Sequence, residues 1–176
     1  MKNEKFICLF VLVFFFFFFS KTVFADSRYV LPYPSSMPGS FAYKLHLVYE
    51  NISKYWYFGD FGQFDYNLKL TDKYLVEAKT LFEYKQYLLG YKALKKSNQY
   101  FINILPNLTR AEKNGKTIRN KKIIFTEASD RHIEVLRQIK KGVPDVFVWQ
   151  PEKSASTTLD LEKTIDESIR LRGKSL

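Results

Sequence analysis

The sequence predicts an all-α protein: an antiparallel bundle of four to five helices behind a cleaved N-terminal signal segment and an extended proline-rich leader. Three observations lead there. Apolar residues recur at three- and four-residue steps through most of 41–141, the spacing of one helix face. Proline and glycine gather in the leader and at a few points between those stretches, where they interrupt helices. The run with strand-like content, Val146-Phe147-Val148-Trp149, is too short and isolated to build a sheet, so it reads as an apolar connector docking on the bundle.

The N-terminus has a secretory layout. Lys2 and Lys5 precede an apolar run over residues 6–19 that ends in six phenylalanines, and Val23-Phe24-Ala25 offers small residues around a cut site. Its 14 residues make a helix of about 21 Å, short of a hydrocarbon core of about 30 Å. Lys21 follows closely. Cleavage after Ala25 is the expected outcome, and an uncleaved membrane anchor over 6–25 is the alternative. Cys8 lies early in the run rather than at a lipid-attachment motif.

The expected organisation is 1–25 signal peptide (or uncleaved anchor), 26–40 leader, 41–142 core helical bundle, and 143–176 connector and C-terminal helix. Pro32, Pro34, Pro38 and Gly39 keep the leader extended. Ser40 is placed to cap a first helix whose apolar face is Phe41, Leu45, Val48, Ile52 and Tyr55, with Gly59 and Gly62 breaking the pattern. A second helix over 64–83 alternates steps of four and three through Phe64, Leu68, Thr71, Leu75, Ala78 and Phe82. A third starts near Tyr87 and is ended or kinked by Pro106, with helix resuming to Gly115. A fourth spans 117–141, with Phe125, Ala128, His132, Leu136 and Ile139 on one side and Gly142-Val143-Pro144 as its stop. After a polar loop over 152–157, a last helix over 158–172 carries Leu161, Ile165 and Ile169, with Arg170 and Arg172 late, as the helix dipole favours.

The 176 residues carry 28 basic and 18 acidic side chains, a net charge of +10. Three of the basic and one of the acidic residues fall in the signal, so the remaining chain carries +8. The single cysteine also leaves with the signal, so an exported domain must be held by packing, without disulfide or thiolate chemistry. That usage suits a bacterial exported protein. Asn51-Ile52-Ser53 and Asn107-Leu108-Thr109 fit the glycosylation sequon, which matters in a eukaryotic secretory route.

Site chemistry is sparse. His46 and Glu50 have the i,i+4 spacing of one metal edge, but two ligands do not make a site, and no metal or cofactor is expected. His132 falls on the apolar side of its helix, where packing is favoured over acid–base work. Asp160, Glu162, Asp166 and Glu167 read as a solvated face. Nucleophile elbows, zinc-protease helices and phosphate-binding glycine loops are absent from the sequence, and no catalytic residue is assigned.

Two surface features remain. Arg110, Lys113, Lys116, Arg119, Lys121 and Lys122 stand against Glu112 alone, a candidate polyanion contact weighed against an ordinary solvated lysine-rich surface. Tyr55, Trp56, Tyr57, Phe58 and Phe61 crowd a glycine turn, a candidate aromatic docking surface weighed against inter-helix packing.

Four stretches carry a resemblance. They are the leader Leu31-Pro32-Tyr33-Pro34, the helix opening Ser40-Phe41-Ala42-Tyr43-Lys44-Leu45, the central helix Leu70-Thr71-Asp72-Lys73-Tyr74-Leu75-Val76-Glu77-Ala78, and Lys92-Ala93-Leu94-Lys95-Lys96-Ser97-Asn98-Gln99-Tyr100-Phe101. With the later Arg131-His132-Ile133-Glu134-Val135-Leu136, ending at Pro144, they resemble a bacterial domain-of-unknown-function family of exported helical proteins from small-genome candidate-phylum bacteria. Two features depart from that pattern: the turn over 82–86 lacks the family's glycine, and Gly59-Asp60-Phe61-Gly62 replaces its Asp-Pro opening of the second helix. The family has no assigned activity, so the resemblance implies fold and export and carries over no site.

The expected function is an exported, non-enzymatic interaction or structural module of the bacterial cell envelope, secreted or at the cell surface. Its expected partner is an envelope protein or an anionic envelope polymer, with membrane contact only through the N-terminal segment if that segment is uncleaved. The alternative is an extracytoplasmic binder of polyanions (envelope polymer, anionic lipid or DNA) through 110–122, and an envelope enzyme comes third.

Overall fold

The computed structural model describes residues 29–34 and 38–174; the expected signal segment and cut site lie outside them. The chain is predominantly helical. Its α-helices are α1 (Phe41–Ser53), α2 (Gly59–Glu83), α3 (Tyr87–Phe101), α4 (Ile104–Lys113), α5 (Arg119–Gly142) and α6 (Leu161–Gly173). A short 3-10 turn, Lys54–Trp56, follows α1. Helices α2 to α6 form a five-helix bundle, and α1 lies on it.

Helix α2 is the centre. The heptad-like set of the sequence, Phe64, Leu68, Thr71, Leu75, Ala78 and Phe82, is buried throughout. At one end α2 packs Leu75, Ala78, Leu81 and Phe82 with Ala93 and Leu94 of α3, Leu136 and Ile139 of α5, and Leu161 and Ile165 of α6. At the other, Phe64 and Leu68 meet Phe101, Ile104, Leu108, Phe125 and Ala128. Each large apolar side chain removed from water contributes about 1.5–3 kcal/mol. These two clusters make up most of the apolar core.

The helix boundaries follow from local chemistry. Ser40 Oγ accepts the Tyr43 N–H at 3.1 Å, the expected cap of α1. Gly59 and Gly62 do not end a pattern; they open α2, whose start lies five residues earlier than the sequence predicts. At Gly62 a Cβ would sit 2.7 Å from the carbonyl carbon of Tyr57, so the absence of a side chain lets the incoming backbone cross α2 closely. Pro106 stands in the first turn of α4, where its missing N–H has no intrahelical partner. Its ring is incompatible with helix continuing through the carbonyl four residues back, and the chain breaks at Ile102–Asn103. Gly115, with φ +77°, closes α4 as the Lys116 N–H reaches back to the Ala111 carbonyl at 3.0 Å.

One element corrects the sequence reading. Val146–Trp149 is not a lone connector but strand β1, paired antiparallel with β2, Thr157–Asp160. The residues expected to begin the last helix at 158 are therefore extended, and α6 starts at Leu161 behind an Asp160 cap that accepts the Lys163 N–H at 3.0 Å. Register places Phe147 opposite Leu159, and Phe147 meets the Tyr87 ring at 4.9 Å. A two-stranded ribbon is marginal alone; here its apolar pair leans on the main core. The Asp145 carbonyl, which accepts from the Leu161 and Glu162 N–H groups, ties the ribbon to α6.

The turn between α2 and α3 is made without a glycine. Lys85 takes φ +59°, the left-handed region. Around it the Lys85 N–H donates to the Phe82 carbonyl at 2.9 Å and the Gln86 N–H to the Leu81 carbonyl at 2.8 Å, a helix stop normally built on glycine. Lys85→Gly is therefore expected to raise unfolding free energy by about 0.5–1 kcal/mol, read as a higher urea midpoint with an unchanged slope; a lower midpoint would contradict the strained-turn account.

Candidate docking surface

Helix α1 sits on the bundle by its polar side. Glu50 is buried, its carboxylate paired with Lys73 Nζ and accepting the Tyr74 hydroxyl at 2.7 Å, both from α2. The Tyr66 hydroxyl donates to the Glu50 backbone carbonyl at 3.2 Å, and Ser53 Oγ donates to the same oxygen at 2.9 Å. Two turns before Glu50 along α1, the Tyr43 hydroxyl donates to Glu77 at 2.9 Å. Burial and the neighbouring carboxylate push the Tyr74 and Tyr43 phenols well above their ordinary range, and burial together with Tyr100 pushes Tyr66 up to about 12. All three therefore stay neutral donors. Burial likewise raises the Glu77 carboxyl, against the opposing pull of Tyr43 and Lys73.

The consequence is an amphipathic helix facing the opposite way from a core helix. Phe41, Leu45, Val48 and Ile52 recur on the side away from Glu50, and each is about half exposed or more, Phe41 at 75%. The aromatic segment continues that surface. Tyr55, Trp56 and Phe58 are exposed, at 75%, 63% and 81%, and Tyr49 lies 6.4 Å from the Trp56 ring. Tyr57 and Phe61 are half-buried. Tyr57 turns inward onto Tyr66 at 5.5 Å, and Phe61 lies beneath Lys116, whose Nζ is 5.2 Å from the ring centroid. Phe64 and Tyr66, part of the same crowd in the sequence, are buried.

Between α1, α2 and the leader lies a cavity of about 430 Å³, lined by Pro32, Tyr33, His46, Tyr49, Glu50, Ser53, Tyr57, Tyr66, Lys69, Leu70 and Lys73. The carboxylate of buried Glu50 and the ammonium of partly buried Lys73 are spent on each other. His46 is exposed, and Glu50 has no free edge to offer it. Among the described residues no group of three or more His, Asp or Glu could hold a metal ion.

The basic segment is divided by the fold. Arg110 pairs with Asp60 at 3.2 Å and Lys121 with Asp65 at 2.5 Å, so both serve to fasten α4 and α5 to α2. Lys113, Lys116, Arg119 and Lys122 are exposed around the turn between α4 and α5. Of the two sequons, Asn51 is exposed, whereas Asn107 is buried and accepts from Arg110.

A second polar cluster, not legible in the sequence, lies inside the bundle. His132 is fully buried, as its place on the apolar face of α5 suggests, but it has a polar partner: Nε2 lies 2.6 Å from Asp72 Oδ1. The other Asp72 oxygen accepts the Tyr29 hydroxyl from the leader. Arg172, whose place at the end of the last helix suits a dipole partner, is wholly buried instead. Its guanidinium donates to Asn98 Oδ1 at 2.7 Å, Ser97 Oγ at 2.9 Å and the Ser168 carbonyl at 3.0 Å, and stacks 4.8 Å over Phe101. Burial pulls its pKa down to about 9, against the attraction of Asp72. None of these groups lines the cavity between α1 and α2, and their hydrogen bonds join the leader, α2, α3, α5 and α6.

Comparison with known proteins adds no relative: no family model, no curated protein and no solved structure matches this chain.

Burial holds the His132 imidazole below its ordinary pKa of 6.5, outweighing the Asp72 hydrogen bond, with Arg172 acting in the same direction as burial. Below that ordinary value the unfolded chain takes up a proton that the buried ring resists. Stability from this site is therefore complete above about pH 6.5 and is lost as pH falls from there toward the lower folded value. Thermal scans from neutral to mildly acidic pH should show the melting temperature falling for the native chain and falling much less for His132→Gln. Equal slopes for the two would refute the assignment.

Proposed function

We propose that this protein is an exported, non-enzymatic helical module of the bacterial cell envelope that works by docking. The observation carrying this reading is the outward-facing surface of α1 and the segment after it: Phe41, Leu45, Val48, Ile52, Tyr55, Trp56 and Phe58 are all exposed. Contiguous exposed apolar surface of this kind marks an interaction site in a folded protein. Aromatic residues bring large contact area at low entropic cost, which suits them to that role. The polar interior supports the non-enzymatic reading, since His132 and Arg172 are wholly buried and Asp72 is held between His132 and Tyr29. Export rests on the three-part layout of residues 1–25 and on the family resemblance, which stands as part of the same proposal.

The polyanion reading keeps four exposed cations, Lys113, Lys116, Arg119 and Lys122, after Asp60 and Asp65 have taken the other two. Retention on DNA or anionic wall polymer that weakens steeply with salt would favour it over docking.

The docking reading is tested by crosslinking in the native envelope. A photo-reactive residue at Tyr55 or Phe58 should give discrete adducts, whereas one at exposed Lys153, far along the chain, should not. The triple change Tyr55→Ser, Trp56→Ser, Phe58→Ser should abolish adducts formed from Leu45 without altering the far-UV circular dichroism. Adducts at neither position would refute the reading.

A further inference from the structure

We infer that the exposed face of α1 lies on a lipid bilayer, with Leu45, Val48 and Ile52 entering the headgroup–acyl boundary and Trp56 marking its edge. The inference names the partner class for the docking surface and rests on that reading of it. Three observations select lipid over a protein groove or a second copy.

First, the face has the chemistry of an interfacial helix. Aliphatic residues fill its middle, and Tyr49, Tyr55, Trp56 and Phe58 gather at its C-terminal end, all exposed. Amphipathic aromatic rings favour the level of the headgroups, where one end of the ring is apolar and the other wet. Helix α1 spans 13 residues, about 20 Å, enough to lie flat in that plane rather than cross it. Among the described residues no helix is long and apolar enough to cross a membrane.

Second, the charge is of one sign. The acid of α1, Glu50, points into the protein and is neutralised by Lys73. Lys44, exposed, flanks the apolar stripe, and Lys54, also exposed, follows α1 at its end. Cations flanking an apolar stripe are the pattern that anionic headgroups attract, at about 1 kcal/mol per Lys near such a surface. A second copy would bring its own Lys44 and Lys54 to the same interface and face like charge.

Third, the helix is close in sequence to a membrane-directed segment. The apolar run ends at Phe19, and α1 begins at Phe41. If the run stays in the bilayer, the short stretch of sequence between them tethers α1 to the same surface and raises its local concentration there.

The test reads Trp56 alone. The chain has two tryptophans, Trp56 and Trp149, and Trp149→Phe in the full chain leaves the first as sole reporter. With vesicles of mixed phosphatidylcholine and phosphatidylglycerol, Trp56 emission should shift to the blue and be largely lost when the lipids carry brominated acyl chains. Adding Leu45→Asp with Ile52→Asp, at two exposed positions, should restore water-like, unquenched emission while far-UV circular dichroism is unchanged and the chain still floats with the vesicles through its N-terminal run. Emission that stays water-like and unquenched in the parent chain overturns the inference, and so does a blue shift without vesicles that grows with protein concentration, which would mean a second copy covers the face. Discrete protein crosslinks at Tyr55 alongside an unquenched Trp56 would keep the docking reading and remove only the lipid.

Discussion

A buried carboxylate decides which way the first helix faces. Glu50 is held by Lys73 and the Tyr74 hydroxyl at its carboxylate and by the Tyr66 hydroxyl at its backbone carbonyl, and it lies on the side of α1 opposite the apolar stripe. Rotating α1 to bury Phe41, Leu45, Val48 and Ile52 would require withdrawing Glu50 from its partners and leaving Lys73 half-buried and unpaired. Breaking a buried pair in that manner costs about 3–5 kcal/mol, to which the lost Tyr43–Glu77 and Tyr66–Glu50 hydrogen bonds add about 1 kcal/mol each. Burying four apolar side chains would return several kcal/mol, so the two orientations compete on comparable terms. Specific polar geometry tips the balance, and the surface that a core helix would hide is presented outward.

The same helix that holds α1 also organises the interior. Successive residues of α2 point in different directions: Asp72 meets His132 of α5 and Tyr29 of the leader, while Lys73, Tyr74 and Glu77 meet α1. Buried polar groups of this kind stabilise only when their partners are in place. His132 Nδ1 and Arg172 Nε have no hydrogen-bond partner among the described residues, so the cluster sits close to the limit of satisfaction. Its role is positional. A leader tyrosine, a central aspartate, a histidine of α5 and, through Asn98 and Ser97, an arginine of α6 are brought to one place.

Much of the bundle was legible because helix periodicity and proline chemistry are local. The α2 core set, the break before Pro106, the stop at Gly115 and the Ser40 cap each follow from residues a few positions apart. The hairpin was not, because Val146–Trp149 and Thr157–Asp160 are short, and each carries a single inward residue, Phe147 and Leu159, too few for an alternation to show. The orientation of α1 was also hidden. Its periodicity reveals an apolar face, yet whether that face looks inward depends on where Glu50, Tyr43 and Ser53 find partners, and those partners lie as far as 34 residues away in sequence. Arg172 followed the helix-dipole pattern so well that its burial gave no local sign. Of the aromatic candidates, exposure of Tyr55, Trp56 and Phe58 against the inward turn of Tyr57 and Phe61 is set by the 3-10 turn and the close crossing at Gly62, neither of which has a sequence signature.

The outward orientation of α1 is the claim on which the docking account stands, and side-chain accessibility measures it directly. With Cys8 replaced by serine, single cysteines placed along α1 in the full chain would be labelled with a water-soluble maleimide in lipid-free buffer. Phe41→Cys, Val48→Cys and Ile52→Cys should react nearly as fast as an exposed position on the loop before β2, while Tyr43→Cys and Ser53→Cys react far more slowly. The reverse pattern, with 41, 48 and 52 protected and 43 and 53 open, would show the apolar face turned into the bundle and contradict the account.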